Sequence, residues 1–168
     1  LSKDNSWEII KKISREFNFV KGINLNHNVG QHGAIFVGLK YSIGNKVIMM
    51  DDDLQHPPQS LISIYDQLDS FDACYTLYLK RKHVTWKIIV SYVNNIFSSF
   101  IFNKPFKIYT SSMKGIRGEI KNSFIDNNPR IISLDSLILR EAKNVTNIKV
   151  THQERFEGKS NYDVKRLF

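Results

Sequence analysis

Along the 168 residues, apolar side chains switch repeatedly between the spacing of an amphipathic helix and the short β-branched runs of a buried strand. A chain patterned in this way buries helix stripes against sheet faces, so the fold class is α/β. Trp7, Ile10, Ile13 and Phe17 recur at helical spacing behind Asp4 or Ser6 as N-cap, and Gly22 ends the run. A short strand is expected over Ile23 to Asn26. Asn28, Gly30, Gln31 and Gly33 then form a polar turn into a helix that carries Ala34, Ile35, Val37, Gly38 and Tyr41 and stops near Gly44. Lys46 to Met50 reads as a buried strand, and Pro57 and Pro58 open a helix with Leu61, Ile64, Tyr65 and Leu68 on its apolar face. A strand over Ala73 to Leu79, an amphipathic helix over Trp86 to Phe102, a helix near Ile131 to Ala142 and a strand near Val145 to Thr151 complete the order.

With 42% hydrophobic residues the length supports one core, so a single domain over 1–168 is expected, and collagen-like and weakly hydrophobic disordered classes are excluded. A formal charge of +8 points to an anionic partner. Cys74 is the single cysteine, which rules out an internal disulfide and a cysteine zinc cluster and fits a reducing, cytosolic compartment. No apolar run reaches the roughly 18 residues of a membrane span, and the first residues lack a secretory pattern, so the chain reads as soluble. His27, His32, His56, His83 and His152 show no ligand spacing and are read as surface or supporting residues.

The sharpest local feature is Asp51-Asp52-Asp53-Leu54-Gln55 directly after the strand Lys46 to Met50. Open α/β sheets build ligand crevices at the carboxyl ends of their strands. In an extended segment Asp51 and Asp53 point one way and Gln55 continues that face, while Asp52 points elsewhere. Two carboxylates and an amide oxygen suit a hard cation, Mg²⁺ or Mn²⁺, bridging to a diphosphate. The acids could equally cap the helix that follows the two prolines, and the string by itself leaves both readings open.

Between Asp72 and Glu119 there is no acidic residue, whereas Lys80, Arg81, Lys82, Lys87, Lys104, Lys107, Lys114 and Arg117 all fall there. Lys87 and Ser91, at i and i+4, share a helical face and could converge on a phosphate. With Trp86, Phe97, Phe100 and Phe102 beside these cations, the segment 80–117 is expected to meet a membrane surface, although core packing of the aromatics is the plainer reading of each alone.

Together, Asn26-x-Asn28-x-Gly30-Gln31-x-x-Ala34-Ile35-x-x-Gly38 and Gly44-x-x-Val47-Ile48-x-Met50-Asp51-Asp52-Asp53-Leu54-Gln55-His56-Pro57-Pro58 resemble family 2 glycosyltransferases of the GT-A fold. Within them the chain looks most like the dolichol-phosphate mannose synthase and bactoprenol glucosyltransferase branch, and Arg155-x-x-Gly158-x-Ser160-x-Tyr162 is similar to that branch's late motif. The resemblance implies a Rossmann-like mixed, mainly parallel sheet flanked by helices. It also implies a metal-dependent, inverting transfer of a sugar from a nucleotide donor to a polyprenyl phosphate.

Residue by residue, the resemblance gives Asp51, Asp53 and Gln55 to the metal, with Asp53 assisting the leaving group. It gives Asn28, Gly30, Gln31, Asp51 and Asp52 to the donor. Lys80, Arg81, Lys87, Ser91, Arg155 and Ser160 fall to the acceptor phosphate or the diphosphate. Relatives often carry an acid in the segment Tyr109-Thr110-Ser111-Ser112-Met113-Lys114, where this chain has Ser112, so no catalytic base is assigned. A lipid phosphate is already an anionic nucleophile and needs positioning more than proton removal.

The chain also resembles an internal piece of a longer enzyme. Leu1-Ser2-Lys3-Asp4 looks like the tail of a motif that follows the family's first strands, and Arg166-Leu167-Phe168 falls about where membrane segments begin in many relatives. The expectation is a fold incomplete at its N-terminus, with weak or no activity alone, from an enzyme at the cytoplasmic face of the membrane. One rival retains the enzyme class and takes a sugar hydroxyl of a surface polysaccharide as acceptor. A remote rival is a basic module binding nucleic acid, for which the sequence supplies no fold signature, so no nucleic-acid partner is expected.

Overall fold

The computed structural model describes residues 4–78, 107–125 and 133–150. The helix expected over Trp86 to Phe102 and the late motif from Arg155 to Tyr162 lie outside them. The chain divides into two compact units, Leu1–Ser42 and Ile43–Phe168.

In the first unit, α1 spans Ser6–Glu16 and α2 spans Gly30–Tyr41. Asn5 takes the N-cap position of α1, while Asp4 Oδ1 accepts the Ser6 N–H at 3.1 Å. Hydrogen bonds from Ser6 hold the Asp4 carboxyl below the usual carboxylate range. Entry into α2 turns on Asn28, whose Oδ1 accepts the Gly30 N–H at 2.9 Å, and on Gly30 itself at φ +72°, a left-handed conformation that a side chain resists. α2 buries Phe36 and Leu39. The strand expected over Ile23 to Asn26 is not formed: the described residues of this unit contain no other strand, and a lone strand has nothing to satisfy its main-chain groups.

The second unit is built on a four-stranded sheet of β1 (Lys46–Met49), β2 (Ala73–Tyr78), β3 (Lys114–Arg117) and β4 (Val145–Val150), in the order β1-β3-β2-β4. β3 runs antiparallel to both β1 and β2, and β2 pairs with β4 in parallel. Thus β1, β2 and β4 all run one way, as expected of a mixed, mainly parallel sheet, and β3 alone is reversed, so that two of the three described pairings are antiparallel. The physical reason is β3, which returns between two co-directional strands and supplies the hydrogen bonds they would otherwise exchange. The sequence reading had no strand there, because a four-residue run with two cations and a glycine carries little strand signal.

Helix α3 (Gln59–Gln67) follows Pro57 and Pro58, and it lies against all four strands. Its Ile64, with Leu68 just beyond, packs on Cys74 and Met113, with Ile48, Leu61 and Ile148 at the margin. Gly115 makes this approach possible, since a Cβ there would run into Ile64 and come within 3.0 Å of Leu68. On the chain beyond β3, α4 (Gly118–Ile125) and α5 (Leu134–Glu141) pack on each other and bury Phe124, Leu134, Leu137 and Ile138.

The carboxyl end of α3 is held from the sheet. Lys46 and Arg117 are cross-strand partners. Lys46 Nζ donates to the Tyr65 carbonyl at 3.0 Å and pairs with Asp69 at 2.7 Å. Arg117 donates to the Leu68 and Asp69 carbonyls at 2.9 and 2.6 Å and lies 3.5 Å from Asp72. Two cations thus meet the negative end of the helix dipole and its unpaired carbonyls. Holding that end fixes the amino end of α3 beside the chain leaving β1.

Candidate active site at the carboxyl ends of the strands

β1, β2 and β4 end at Met49, Tyr78 and Val150 on one side of the sheet, where β3 begins at Lys114. Two connections leave the sheet there from adjacent strands. One is the acidic turn after β1, and the other is the segment 107–113 that enters β3.

The acidic turn is not an extended continuation of β1. It bends over residues 52–54, and Leu54 sits at φ 58°. The alternation expected of an extended segment nevertheless survives: Asp51, Asp53 and Gln55 are partly buried, while Asp52 and Leu54 are exposed. Asp53 Oδ1 accepts the Gln55 N–H at 3.2 Å, an Asx-type turn that fixes both residues. His56, expected at the surface or in support, is buried at 6% exposure and anchors the turn before the prolines.

Among the described residues no three His, Cys, Asp or Glu side chains converge as a metal cage. The chemistry of the turn fits a Mg²⁺-type ion without one, because such ions take one or two carboxylates and complete their shell with water and substrate phosphates. Asp51, Asp53 and the Gln55 amide are hard oxygen donors of that kind, each partly buried in one short turn.

The segment 107–113 is tied to the sheet by side chains. Ser111 Oγ accepts the Thr76 N–H at 3.1 Å, lies 3.0 Å from Thr76 Oγ1 and reaches the Met113 carbonyl at 2.7 Å. Asn147, on β4 opposite Tyr75, accepts the Tyr109 N–H through Oδ1 at 3.0 Å. Its Nδ2 donates to the Tyr109 carbonyl at 2.8 Å and lies 3.4 Å from the Tyr75 carbonyl. Ile108 and Met113 are buried while Thr110 and Ser112 face outward.

Below these connections lies a buried polar cluster. Lys114 forms an ion pair with Asp135 of α5, and the Tyr75 hydroxyl donates to the same carboxylate at 3.2 Å. Lys114 Nζ also lies 5.3 Å from the centre of the Tyr75 ring. Burial first, then the Asp135 charge, pushes the Tyr75 hydroxyl well above its ordinary pKa. Lys114 and Arg117 depart from the expectation of a basic, membrane-facing stretch: Lys114 is buried against Asp135 and Arg117 pairs with Asp72, so the counter-charges come from elsewhere in the chain. Lys107 is exposed.

Asp51, Asp52, Asp53 and Gln55 therefore occupy the turn expected of them, and Asn28, Gly30 and Gln31 form the helix entry of the other unit. Lys80, Arg81, Lys87, Ser91, Arg155 and Ser160 lie outside the described residues. The sequence reading missed Thr76, Asn147 and Asp135. Their partners stand 35, 38 and 21 residues away, beyond the reach of any local pattern.

A mixed α/β sheet with an acidic turn at the carboxyl end of its first strand is the arrangement of a GT-A glycosyltransferase. The family model of "Glycosyl transferase family 2" matches residues 1–124, and the chain belongs to that family. It is 30% identical over 168 residues to the undecaprenyl-phosphate 4-deoxy-4-formamido-L-arabinose transferases of Salmonella paratyphi B and Salmonella newport, covering 99% of this chain and 51% of theirs. The chain thus spans about half the length of the curated relatives it matches. Among solved structures it resembles glucosyl-3-phosphoglycerate synthase from Mycobacterium tuberculosis, at 14% identity and a TM-score of 0.60, covering 99% of this chain and 61% of that one. That likeness bears on fold alone, and it agrees with the GT-A reading.

Proposed function

We propose that this chain is the catalytic core of a metal-dependent, inverting glycosyltransferase that moves a sugar from a nucleotide donor to a membrane-borne polyprenyl phosphate. The observation that carries the reading is the acidic turn, in a family 2 chain, with Asp51, Asp53 and Gln55 partly buried at the carboxyl end of β1. The name of the Salmonella relatives, transferases acting on undecaprenyl phosphate, supports the acceptor class.

In this reading Asp51, Asp53 and Gln55 hold Mg²⁺ or Mn²⁺, which would offset the charge of the departing diphosphate. Asp53, fixed by its bond to the Gln55 N–H, would present its carboxylate to that ion. Asn28, Gly30 and Gln31 contribute to donor binding. Lys80, Arg81, Lys87, Ser91, Arg155 and Ser160 receive the phosphates, and the cations before residue 107 meet the membrane surface. No helix among the described residues is long and apolar enough to cross a bilayer. A phosphate nucleophile needs no general base, in keeping with Ser112 where relatives often carry an acid.

The test expresses the native reading frame that encodes this chain and supplies its membranes with radiolabelled nucleotide sugars, Mg²⁺ or Mn²⁺, and undecaprenyl phosphate. Label entering the lipid phase and lost in Asp53→Ala is the expected result. Metal-dependent donor turnover without labelled lipid would overturn the acceptor and favour a polysaccharide hydroxyl. Label that persists in Asp53→Ala would overturn the metal site.

A further inference from the structure

We infer that Asn147 is a positioning residue for the proposed transfer: its carboxamide clips the segment 107–113 to β4 and β2, so that Thr110 and Ser112 form a fixed wall of the substrate site beside the acidic turn. The inference rests on the functional reading above and goes beyond it, because Asn147 belongs to none of the motifs that support that reading.

Three observations carry it. The first is the bonding of the amide. Asn147 accepts the Tyr109 N–H at 3.0 Å and donates to the Tyr109 carbonyl at 2.8 Å. It satisfies both main-chain groups of one residue, as a neighbouring strand would, in a segment that has no strand of its own. The second is redundancy: two residues on, Ser111 is bound to Thr76 and to the Met113 carbonyl. A connection held at 109 and again at 111 has little freedom left, and the residues displayed around the second anchor are the hydroxyl-bearing Thr110 and Ser112. The third is placement. Lys114, where this segment enters β3, is the Cα partner of Met49. Ser112 stands two residues before that pair and Asp51 two residues after it, at the same end of the sheet.

Loops that carry function are set by the rigid elements beneath them, and small displacements of a positioning group are costly to a transfer reaction. Asn147 never meets substrate in this account. It acts through the Tyr109 main chain, and Thr110 and Ser112 offer the hydroxyls that contact phosphate or sugar oxygens.

The experiment compares wild type with Asn147→Leu, which removes all three bonds. Asn147→Ala, which removes the same bonds with a smaller side chain, takes its place if the leucine variant does not fold. Both are expressed from the native reading frame, and two readouts are taken: amide hydrogen exchange over residues 109–113, and steady-state transfer to undecaprenyl phosphate in vesicles. The expected result is exchange at Tyr109 at least tenfold faster, with kcat lowered tenfold to a hundredfold. A raised KM for the lipid assigns the wall to the acceptor, and a raised KM for the nucleotide sugar assigns it to the donor. Unchanged exchange overturns the clip. Faster exchange with kcat and both KM values unchanged overturns the placement of the wall in the site. A wild type that labels no lipid overturns the functional reading and this inference with it, whereas an active wild type with unaltered variants overturns Asn147 alone.

Discussion

Asp53 does two things with one side chain, and a substitution can separate them. Its Oδ1 accepts the Gln55 N–H, which shapes the turn, and its charge is what the proposed cation needs. Asp53→Asn retains an acceptor oxygen for the turn and removes the charge. Turnover is expected to fall by about a hundredfold or more, with a melting temperature within about 2 °C of wild type, since a partly exposed turn residue contributes little to the core. A large drop in melting temperature would make Asp53 a structural acid. The acids themselves were legible in the sequence, because a strand that runs into Asp-x-Asp is a local pattern. The alternation of partly buried and exposed positions from 51 to 55 was legible too, although the bend at Leu54 replaces the extended chain from which it was inferred.

At the scale of the elements, apolar and charged contacts together hold the sheet to its helices. Where α3 crosses Gly115 the contact is steric. Gly115→Ala would drive a methyl group into Ile64 and against Leu68, and a cost of about 1–3 kcal/mol is expected, measured as a fall in the denaturation midpoint at unchanged m-value. The α5 contact is electrostatic, through Lys114, Asp135 and Tyr75. Lys114→Met strands a carboxylate beside an apolar neighbour and is expected to cost about 3 kcal/mol, whereas Lys114→Met with Asp135→Leu recovers most of that loss. A double variant no more stable than the single one would show that the pair is not coupled. The order of elements was largely readable within the described segments, the strand expected over Ile23 to Asn26 apart. α1, α2, β1, α3, β2, α5 and β4 all fall within a few residues of expectation. β3 and α4 were not, because Lys114 and Arg117 look like free cations until Asp135 and Asp72 are brought to them.

For the molecule as a whole, burial of ionisable groups at the centre of the sheet makes stability depend on alkaline pH. Burial pushes the Cys74 thiol up to about 11, and Tyr75 also lies well above its ordinary range. Both remain neutral in the folded protein at pH values where the unfolded chain has begun to ionise. The unfolded state then holds fewer protons, so stability is fully present below about pH 9 and falls as pH rises towards 11. Melting temperatures between pH 7 and pH 10.5 should decline accordingly, and Cys74 should react with a thiol reagent at pH 8 only after denaturation. A flat profile would mean that the sheet centre admits water. By itself the sequence determined the α/β class, the family and the acidic turn, because periodicity, turn residues and a contiguous motif act over a few neighbours along the chain. Only the tertiary structure decided that β3 threads antiparallel between β1 and β2, that two of the basic residues are structural ion-pair partners, and that Asn147 holds the main chain at Tyr109. Each of those depends on hydrogen bonds or charges meeting across more than 20 residues, which packing can set and local pattern cannot.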